Sequence, residues 1–97
     1  MTLSQLRKQI DALDIQLLRL LNRRAQLVLR IGHLKKKRGM PIFNSRREEE
    51  VLRRLTQTTA GPLSPAATRK IFREILRRSR KLQTSVAVSR NIAKDNA

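Results

Sequence analysis

The stretch that decides the fold runs from residue 3 to residue 38 and reads LSQLRKQIDALDIQLLRLLNRRAQLVLRIGHLKKKR. It contains no proline and a single glycine, and its leucines recur every seven positions, at Leu6, Leu13, Leu20, Leu27 and Leu34. An apolar period of this kind predicts one long amphipathic helix. Thr2 and Gln5 have the spacing of a capping box at its start, and Gly39 and Pro41 supply its end.

Two shorter helices are predicted after this one. Residues 45 to about 58 form the second helix, and Gly61-Pro62 ends it. Ser64 caps the third helix and Pro65 opens it. The apolar period of the third helix runs to about residue 84, and residues 85–97 are expected to be a frayed helical extension or a disordered tail. The predicted fold class is therefore all-α, with three helices in a single domain over residues 1–84.

The length of the first helix predicts a dimer. About 36 residues at ~1.5 Å each extend ~54 Å, whereas a compact domain of this size has a radius of gyration of about 13 Å. Two short helices cannot cover an apolar stripe of that length. We therefore expect a second copy of the chain to bury the remainder in an intertwined homodimer.

The composition excludes several function classes. The 97 residues contain no cysteine, which excludes disulfides, thiolate metal sites and cysteine nucleophiles. Two phenylalanines without tyrosine or tryptophan give little material for stacking on nucleic-acid bases. No apolar run approaches the roughly 18 residues of a membrane span, and the N-terminus lacks the apolar stretch of a signal peptide. A cytoplasmic protein without a membrane partner is expected.

The net charge of +16 predicts an anionic ligand, which could be a nucleic acid, a membrane surface or a small metabolite with several negative charges. Charge alone favours nucleic acid. The third helix carries a surface excess of basic residues, namely Arg69, Lys70, Arg73, Arg77, Arg78, Arg80 and Lys81. This cluster is not needed for a small ligand, so a basic helical dimer that binds nucleic acid is one alternative.

Two cations interrupt the apolar stripe of the first helix. Arg24 and Lys35 are eleven residues apart, which places them within ~20° of the same face. A cation facing a core must meet a carboxylate or mark an anion site. The alternative is that each side chain buries its stem and extends its charged end into solvent.

Three further polar residues are candidates for the same site. Ser79 and Gln83 lie one turn apart on one face of the third helix, although they could simply be exposed near its end. Glu48 could bind a ligand, or it could form a capping box with Ser45. His33 has no second histidine or cysteine cluster beside it, so we do not assign it a metal or a catalytic role.

Several short motifs carry a resemblance to a known family: Leu6-Arg7-x-x-Ile10-Asp11-x-Leu13-Asp14, Leu20-Leu21-Asn22-Arg23-Arg24, Ile31-Gly32-x-x-Lys35, Pro41-Ile42, Arg47-Glu48 and Ser79-x-x-x-Gln83. Together they resemble the all-helical class of chorismate mutases across residues 3–84. The resemblance implies an intertwined dimer of three-helix protomers. It also implies the conversion of chorismate to prephenate, an intramolecular Claisen rearrangement in the shikimate pathway of aromatic amino acid biosynthesis.

The resemblance also implies roles for individual residues. Arg7 of one protomer and Arg24 of the other would bind the two carboxylates of the substrate. Lys35 and Gln83 would form hydrogen bonds to its ether oxygen, and Glu48 would contact the ring hydroxyl. A related lyase that removes pyruvate from isochorismate shares the fold, and Glu48 favours the mutase over that lyase.

Three more positions follow from the same motifs. Arg47 and Ser79 would make further carboxylate contacts. The family often has aspartate where this chain has Asn44, and a contact made there through the backbone N–H would survive the change. Because the rearrangement transfers no proton and forms no covalent intermediate, the resemblance implies neither a cofactor nor a metal site.

Overall fold

The chain folds into three α-helices, α1 (Leu3–Lys37), α2 (Ser45–Thr58) and α3 (Pro65–Asp95). The computed structural model describes residues 1–95, with side chains described up to residue 86. Within that part of the chain no strand occurs. The prediction of an all-α fold with three helices is confirmed.

The ends of α1 are set by the residues that the sequence indicated. The Gln5 backbone N–H donates to the Thr2 hydroxyl at 3.1 Å, and the Thr2 N–H donates to the Gln5 side-chain oxygen at 2.8 Å. This is the predicted capping box. At the other end, Gly39 has a φ of +67°, a left-handed conformation that favours glycine, and the chain turns away from the helix there.

The start of α2 differs from the capping-box alternative considered for Glu48. The cap is Asn44, whose side-chain oxygen accepts from the Arg47 N–H at 3.0 Å. Ser45 is already the first helical residue, so the proposed capping box between Ser45 and Glu48 is wrong. Asn44 is among the most favourable residues for this position because its short side chain reaches the exposed N–H groups of the first turn.

The start of α3 follows the prediction, but its end does not. The Ser64 hydroxyl accepts from the Ala67 N–H at 3.1 Å, and Pro65 is the first helical residue. The helix continues to Asp95, past the predicted end near residue 84. Of the two alternatives for residues 85–97, the backbone of 85–95 is helical, whereas residues 96–97 lie outside the described residues.

The helices are arranged so that α3 packs against both α1 and α2. Val28, Leu52 and Leu76 contribute one buried apolar side chain from each helix to a small core. The first 20 residues are all exposed, so no other part of the chain that the structure describes covers the N-terminal half of α1. The molecule is accordingly elongated, with extents of 59 × 30 × 15 Å and a radius of gyration of 17.4 Å. Within the described residues, no helix combines the length and hydropathy needed to cross a bilayer.

Candidate active site

A cleft of about 270 Å³ lies where the C-terminal half of α1, the start of α2 and the middle of α3 meet. Seven of the eight residues predicted for the site line it: Arg24, Lys35, Asn44, Arg47, Glu48, Ser79 and Gln83. The eighth, Arg7, lies on the exposed N-terminal half of α1, away from this cleft. The three helices thus bring together residues that are up to 59 positions apart in the chain, from Arg24 to Gln83.

Arg24 is held in the cleft by a neutral partner. Its Nη1 donates to the Ser79 hydroxyl at 2.6 Å, and that hydroxyl donates its own proton to the Ile75 carbonyl at 2.8 Å. Because a serine hydroxyl has one proton, Ser79 must rotate before it can donate to a ligand. In the described conformation Ser79 therefore orients Arg24.

The surroundings of Arg24 favour an anion. Burial lowers the pKa of its guanidinium, and the nearby positive charge of Arg47 lowers the pKa further. Arginine remains protonated at neutral pH in spite of such shifts because its ordinary pKa is so high. A partly buried cation whose described partner is a hydroxyl, close to a second cation, is an environment that a negatively charged ligand stabilises.

Lys35 is fixed by the loop between α1 and α2. Its Nζ donates to the backbone carbonyl of Ile42 at 2.7 Å, and the residue is half-buried. An ammonium group has three donors, so others remain for a ligand. The side chain thus lines the cleft with its ammonium group bonded to the loop, whereas the alternative for an isolated cation has the charged end in solvent.

Gln83 presents an unsatisfied polar atom. The residue is only 8% exposed, and its side-chain oxygen is buried without a hydrogen-bond partner. A buried acceptor left in this state costs ~1–3 kcal/mol. Rotation of the amide by half a turn would exchange this oxygen for the N–H₂ group, so the same side chain can offer a ligand either an acceptor or two donors.

Glu48 is paired with Arg80, a residue that sequence reasoning missed. The Arg80 Nη1 donates to both carboxylate oxygens of Glu48, at 3.0 and 3.2 Å. The sequence suggested that Arg80 belongs to the surface group of basic residues on α3, but it lines the cleft. One signal could have identified it, because Arg80 follows the buried Leu76 by four residues and so lies on the same face.

Arg47 and Asn44 sit at the rim of the cleft. Arg47 is exposed, and its Nη1 donates to Glu50 at 3.1 Å, one turn further along α2. The Asn44 side chain is engaged in capping α2. These bonds stabilise the first turn of α2, which lines the cleft together with Arg24 and Lys35.

The cleft is suited to binding and polarising an anion. Four cations line the cleft, namely Arg24, Lys35, Arg47 and Arg80, and the last of these is paired with its one carboxylate, Glu48; the cleft also holds the buried amide of Gln83. In the part of the chain that is described, no group of histidine, aspartate or glutamate residues is arranged to hold a metal ion. The groups present can orient a small dianion and stabilise negative charge that develops on it.

Comparisons with known proteins agree with this geometry. Residues 6–84 match the family model for chorismate mutase type II. The bifunctional chorismate mutase/prephenate dehydratase of Aquifex aeolicus is 40% identical over 91 residues, which are 90% of this chain and 25% of that protein. The T-protein of Haemophilus influenzae is 37% identical over 79 residues, 79% of this chain and 21% of that protein. The chain therefore spans about a quarter of the length of the curated relatives that it matches.

Solved structures give the same result. Chorismate mutase (Form II) from Thermus thermophilus superposes with a TM-score of 0.82 and 40% identity, covering 84% of this chain and 92% of that one. Chorismate mutase from Helicobacter pylori, solved in complex with prephenate, has a TM-score of 0.81 and 35% identity, covering 88% and 92%. With a family model matched over most of its length and a cleft lined by the expected side chains, this chain belongs to the chorismate mutase type II family.

Proposed function

We propose that this chain catalyses the rearrangement of chorismate to prephenate. The observation that carries the proposal is the convergence of Arg24, Lys35, Glu48 and Gln83 on one cleft. The fold is shared with a chorismate mutase from Helicobacter pylori that was solved with prephenate. The proposal concerns the mutase reaction alone, because the bifunctional relatives are about four times as long as the part matched here.

Binding would select the reactive shape of the substrate. Chorismate is a flexible dianion, and it rearranges only from a compact conformer in which the two reacting carbons approach each other. Arg24, with Arg47 at the rim, would bind its carboxylates and hold that conformer, an effect that can lower a barrier by several kcal/mol, up to ~7–11 in the best cases. Ser79 supports this role because its hydroxyl already orients the Arg24 guanidinium.

Electrostatic stabilisation would act on the ether oxygen. Negative charge develops there as the C–O bond lengthens, and a fixed cation in a partly desolvated cleft stabilises it without reorganising in the transition state. The Lys35 ammonium is restrained by its bond to the Ile42 carbonyl, which supports such a preorganised role. Gln83 would donate to the same oxygen once its amide is turned so that the N–H₂ group takes the place of the buried, unpaired oxygen.

The remaining contacts concern the ring. Glu48 would accept a hydrogen bond from the ring hydroxyl. The backbone N–H of Asn44 would donate a hydrogen bond to the bound substrate. The Asn44 side chain caps α2 as an aspartate would, so the difference from the usual residue of the family leaves the helix start intact. Since the rearrangement moves no proton, these residues are proposed as hydrogen-bonding groups, and no cofactor or metal is proposed.

The site would be completed by a second copy of the chain. Arg7 and Arg24 are seventeen residues apart on α1, or ~25 Å along the helix axis, so they cannot share one site within a protomer. Large apolar side chains of the uncovered half of α1 are 45–63% exposed: Leu3, Leu6, Ile10, Leu13, Leu17 and Leu20. Burial of these side chains by the partner's α1 would place Arg7 of each protomer at the other's cleft, giving an intertwined homodimer with two shared sites.

The nucleic-acid alternative has less support in the structure than in the sequence. Four of the seven basic residues of the α3 cluster form ion pairs with glutamates, namely Arg69, Arg77, Arg78 and Arg80. Arg69 and Arg80 join α3 to α2, and Arg77 and Arg78 pair with Glu74 within α3, so part of the charge of each of these arginines is offset within the protein. The chain's net charge of +16 still requires a direct test.

The decisive experiment follows chorismate absorbance in the presence of the purified chain and identifies the product. Rapid loss of chorismate with prephenate as product, unaffected by a metal chelator, would support the proposal. Release of pyruvate from isochorismate, with no action on chorismate, would favour the lyase. A folded protein that leaves chorismate untouched and binds duplex DNA with a steep salt dependence would favour the nucleic-acid alternative.

A further inference from the structure

We infer that Arg80 is a positioning residue of the site, which acts through Glu48 and does not touch the substrate. This inference rests on the proposed function. It starts from the pairing of the two side chains across the α2–α3 contact, 32 positions apart in sequence, with one Arg80 nitrogen shared by both Glu48 oxygens. The pair is largely sheltered from solvent, since 34% of the Arg80 side chain and 21% of the Glu48 side chain are exposed.

The pair addresses an electrostatic problem of this cleft. A carboxylate next to a dianionic substrate repels it, and a carboxylate among Arg24, Lys35 and Arg47 is attracted toward those cations. If Glu48 turned to one of them, it would neutralise a group needed for the substrate. Arg80 offsets the charge of Glu48 from the α3 side and holds the carboxylate at its own end of the cleft.

The geometry leaves Glu48 able to bind a hydroxyl. An ionised carboxylate has about four acceptor positions, and the single Arg80 nitrogen is shared between the two oxygens at 3.0 and 3.2 Å. Acceptor positions on both oxygens therefore remain for the ring hydroxyl of the substrate. Arg80 thus fixes the orientation of the Glu48 carboxylate without occupying all of its acceptor positions.

A second contact fixes Arg80 itself. Its guanidinium carbon lies 4.8 Å from the centre of the Phe43 ring, within the range of a cation–π interaction. Phe43 follows Ile42, whose carbonyl accepts from Lys35. Arg80 thus connects α3 to α2 through Glu48 and to the α1–α2 loop through Phe43. The loop that positions Lys35 and the carboxylate of Glu48 are therefore both in contact with Arg80.

The chain offers a closely matched control. Arg69 is also on α3, is also 34% exposed, and pairs with Glu49, the neighbour of Glu48, at 2.5 and 2.8 Å. Arg69 and Glu49 do not line the 270 Å³ cleft. Replacing Arg69 therefore removes an ion pair between the same two helices without affecting the proposed site, although the Glu49 side chain is more exposed than that of Glu48, at 61% against 21%.

The experiment compares Arg80→Met with Arg69→Met, using chorismate and a chorismate analogue that has hydrogen in place of the ring hydroxyl. Arg80→Met is expected to lower kcat/KM for chorismate by about tenfold to a hundredfold, the cost of a misplaced contact. For the analogue, which cannot bond to Glu48, the loss should be clearly smaller, because only the effect of the unbalanced Glu48 charge remains. Arg69→Met should match the parent for both substrates, and Arg80→Lys should recover part of the loss.

Each other outcome has a definite meaning. Equal losses of Arg80→Met on both substrates would overturn the inference, because they would indicate direct contact with another part of the substrate or a general structural defect. Arg80→Met that equals Arg69→Met on chorismate would also overturn it. If Arg80→Met does not fold by circular dichroism, the same comparison is made with Arg80→Lys and Arg80→Gln. A folded parent chain without turnover would instead show that the proposed function is wrong.

Discussion

Gly32 of α1 lies directly against Gln83 of α3. A methyl group on Gly32 would come within 3.2 Å of the Gln83 Cγ and 3.3 Å of its Cα and Cβ. The absence of a side chain at Gly32, which is itself buried, therefore allows the two helices to approach closely at the point where Gln83 enters the cleft. The place of the Gln83 amide depends on this glycine.

Gly32→Ala should therefore reduce activity more than stability. The methyl group would push the backbone of α3 by a few tenths of an ångström and move the Gln83 amide away from the ether oxygen. We expect kcat to fall at least about tenfold, since small misplacements of a positioned group are costly. Overpacking costs ~1–3 kcal/mol, but alanine in place of helical glycine returns about 1 kcal/mol. The net change in unfolding free energy, measured in urea, should stay within ~2 kcal/mol.

The control for this variant is Gly61→Ala. A methyl group on Gly61 would meet nothing within 4 Å. Its kcat should equal that of the parent. A Gly32→Ala protein with unchanged kcat would show that Gln83 either tolerates the shift or does not contact the reacting atoms.

Lys35→Ala should lower kcat by about two orders of magnitude, the usual cost of losing one group that stabilises transition-state charge, ~3 kcal/mol. Removing a cation from an apolar stripe relieves desolvation and would by itself leave stability unchanged or higher. The structure changes that expectation, since the variant also loses the bond to the Ile42 carbonyl. Stability should fall by ~1 kcal/mol. Lys37→Ala, at an exposed position on the same turn, is the control, and equal kcat for the two variants would contradict the assignment.

The parts of the fold that could be predicted depend on local signals. The capping box of Thr2 and Gln5, the end of α1 near Gly39 and the Ser64-Pro65 start of α3 each depend on neighbouring residues, so they could be predicted from the sequence. The end of α3 could not be predicted in the same way. The apolar period fades after residue 84, and no glycine or proline marks a stop before Asp95.

The candidate site divides along the same line. Arg24 and Lys35 could be identified because they interrupt the apolar stripe of α1. Gln83 could be identified because it lies, at helical spacing, on the same face of α3 as the apolar Leu76. Arg80 was concealed among six other basic residues of α3, and its partner Glu48 is 32 positions away, a pairing that only the tertiary structure creates. The bond from Lys35 to Ile42 uses a backbone carbonyl, which every residue has, so no sequence signal could mark it.

Glu74 should make stability depend on pH in acid. Hydrogen bonds from Arg77, together with those from Arg78, lower the pKa of this exposed carboxyl from 4.5 to about 2. A depressed folded-state pKa means that the stabilisation is complete above the unfolded value and is lost as the pH falls toward 2. The urea midpoint of Glu74→Gln should therefore lie below that of the parent at pH 6, and the two should converge near pH 2. A difference in urea midpoint that stays constant from pH 6 to pH 2 would contradict the low pKa of Glu74. The kcat of Glu74→Gln should equal that of the parent, because Glu74 does not line the 270 Å³ cleft.

The shared sites of the proposed dimer lead to a complementation test. Arg7→Ala and Arg24→Ala chains should each be nearly inactive alone, because every site would lack one carboxylate ligand. After the two are unfolded together and refolded, heterodimers should contain one site with both lesions and one with neither. Random pairing should then restore about one quarter of the parent activity.

Two further mixtures serve as controls. Mixing Arg7→Ala with Lys35→Ala should recover activity in the same way. Mixing Arg24→Ala with Lys35→Ala should not, because those two residues line the same cleft of one protomer. A chain that sediments as a monomer at micromolar concentration, or variants that fail to complement, would show that Arg7 does not act across an interface.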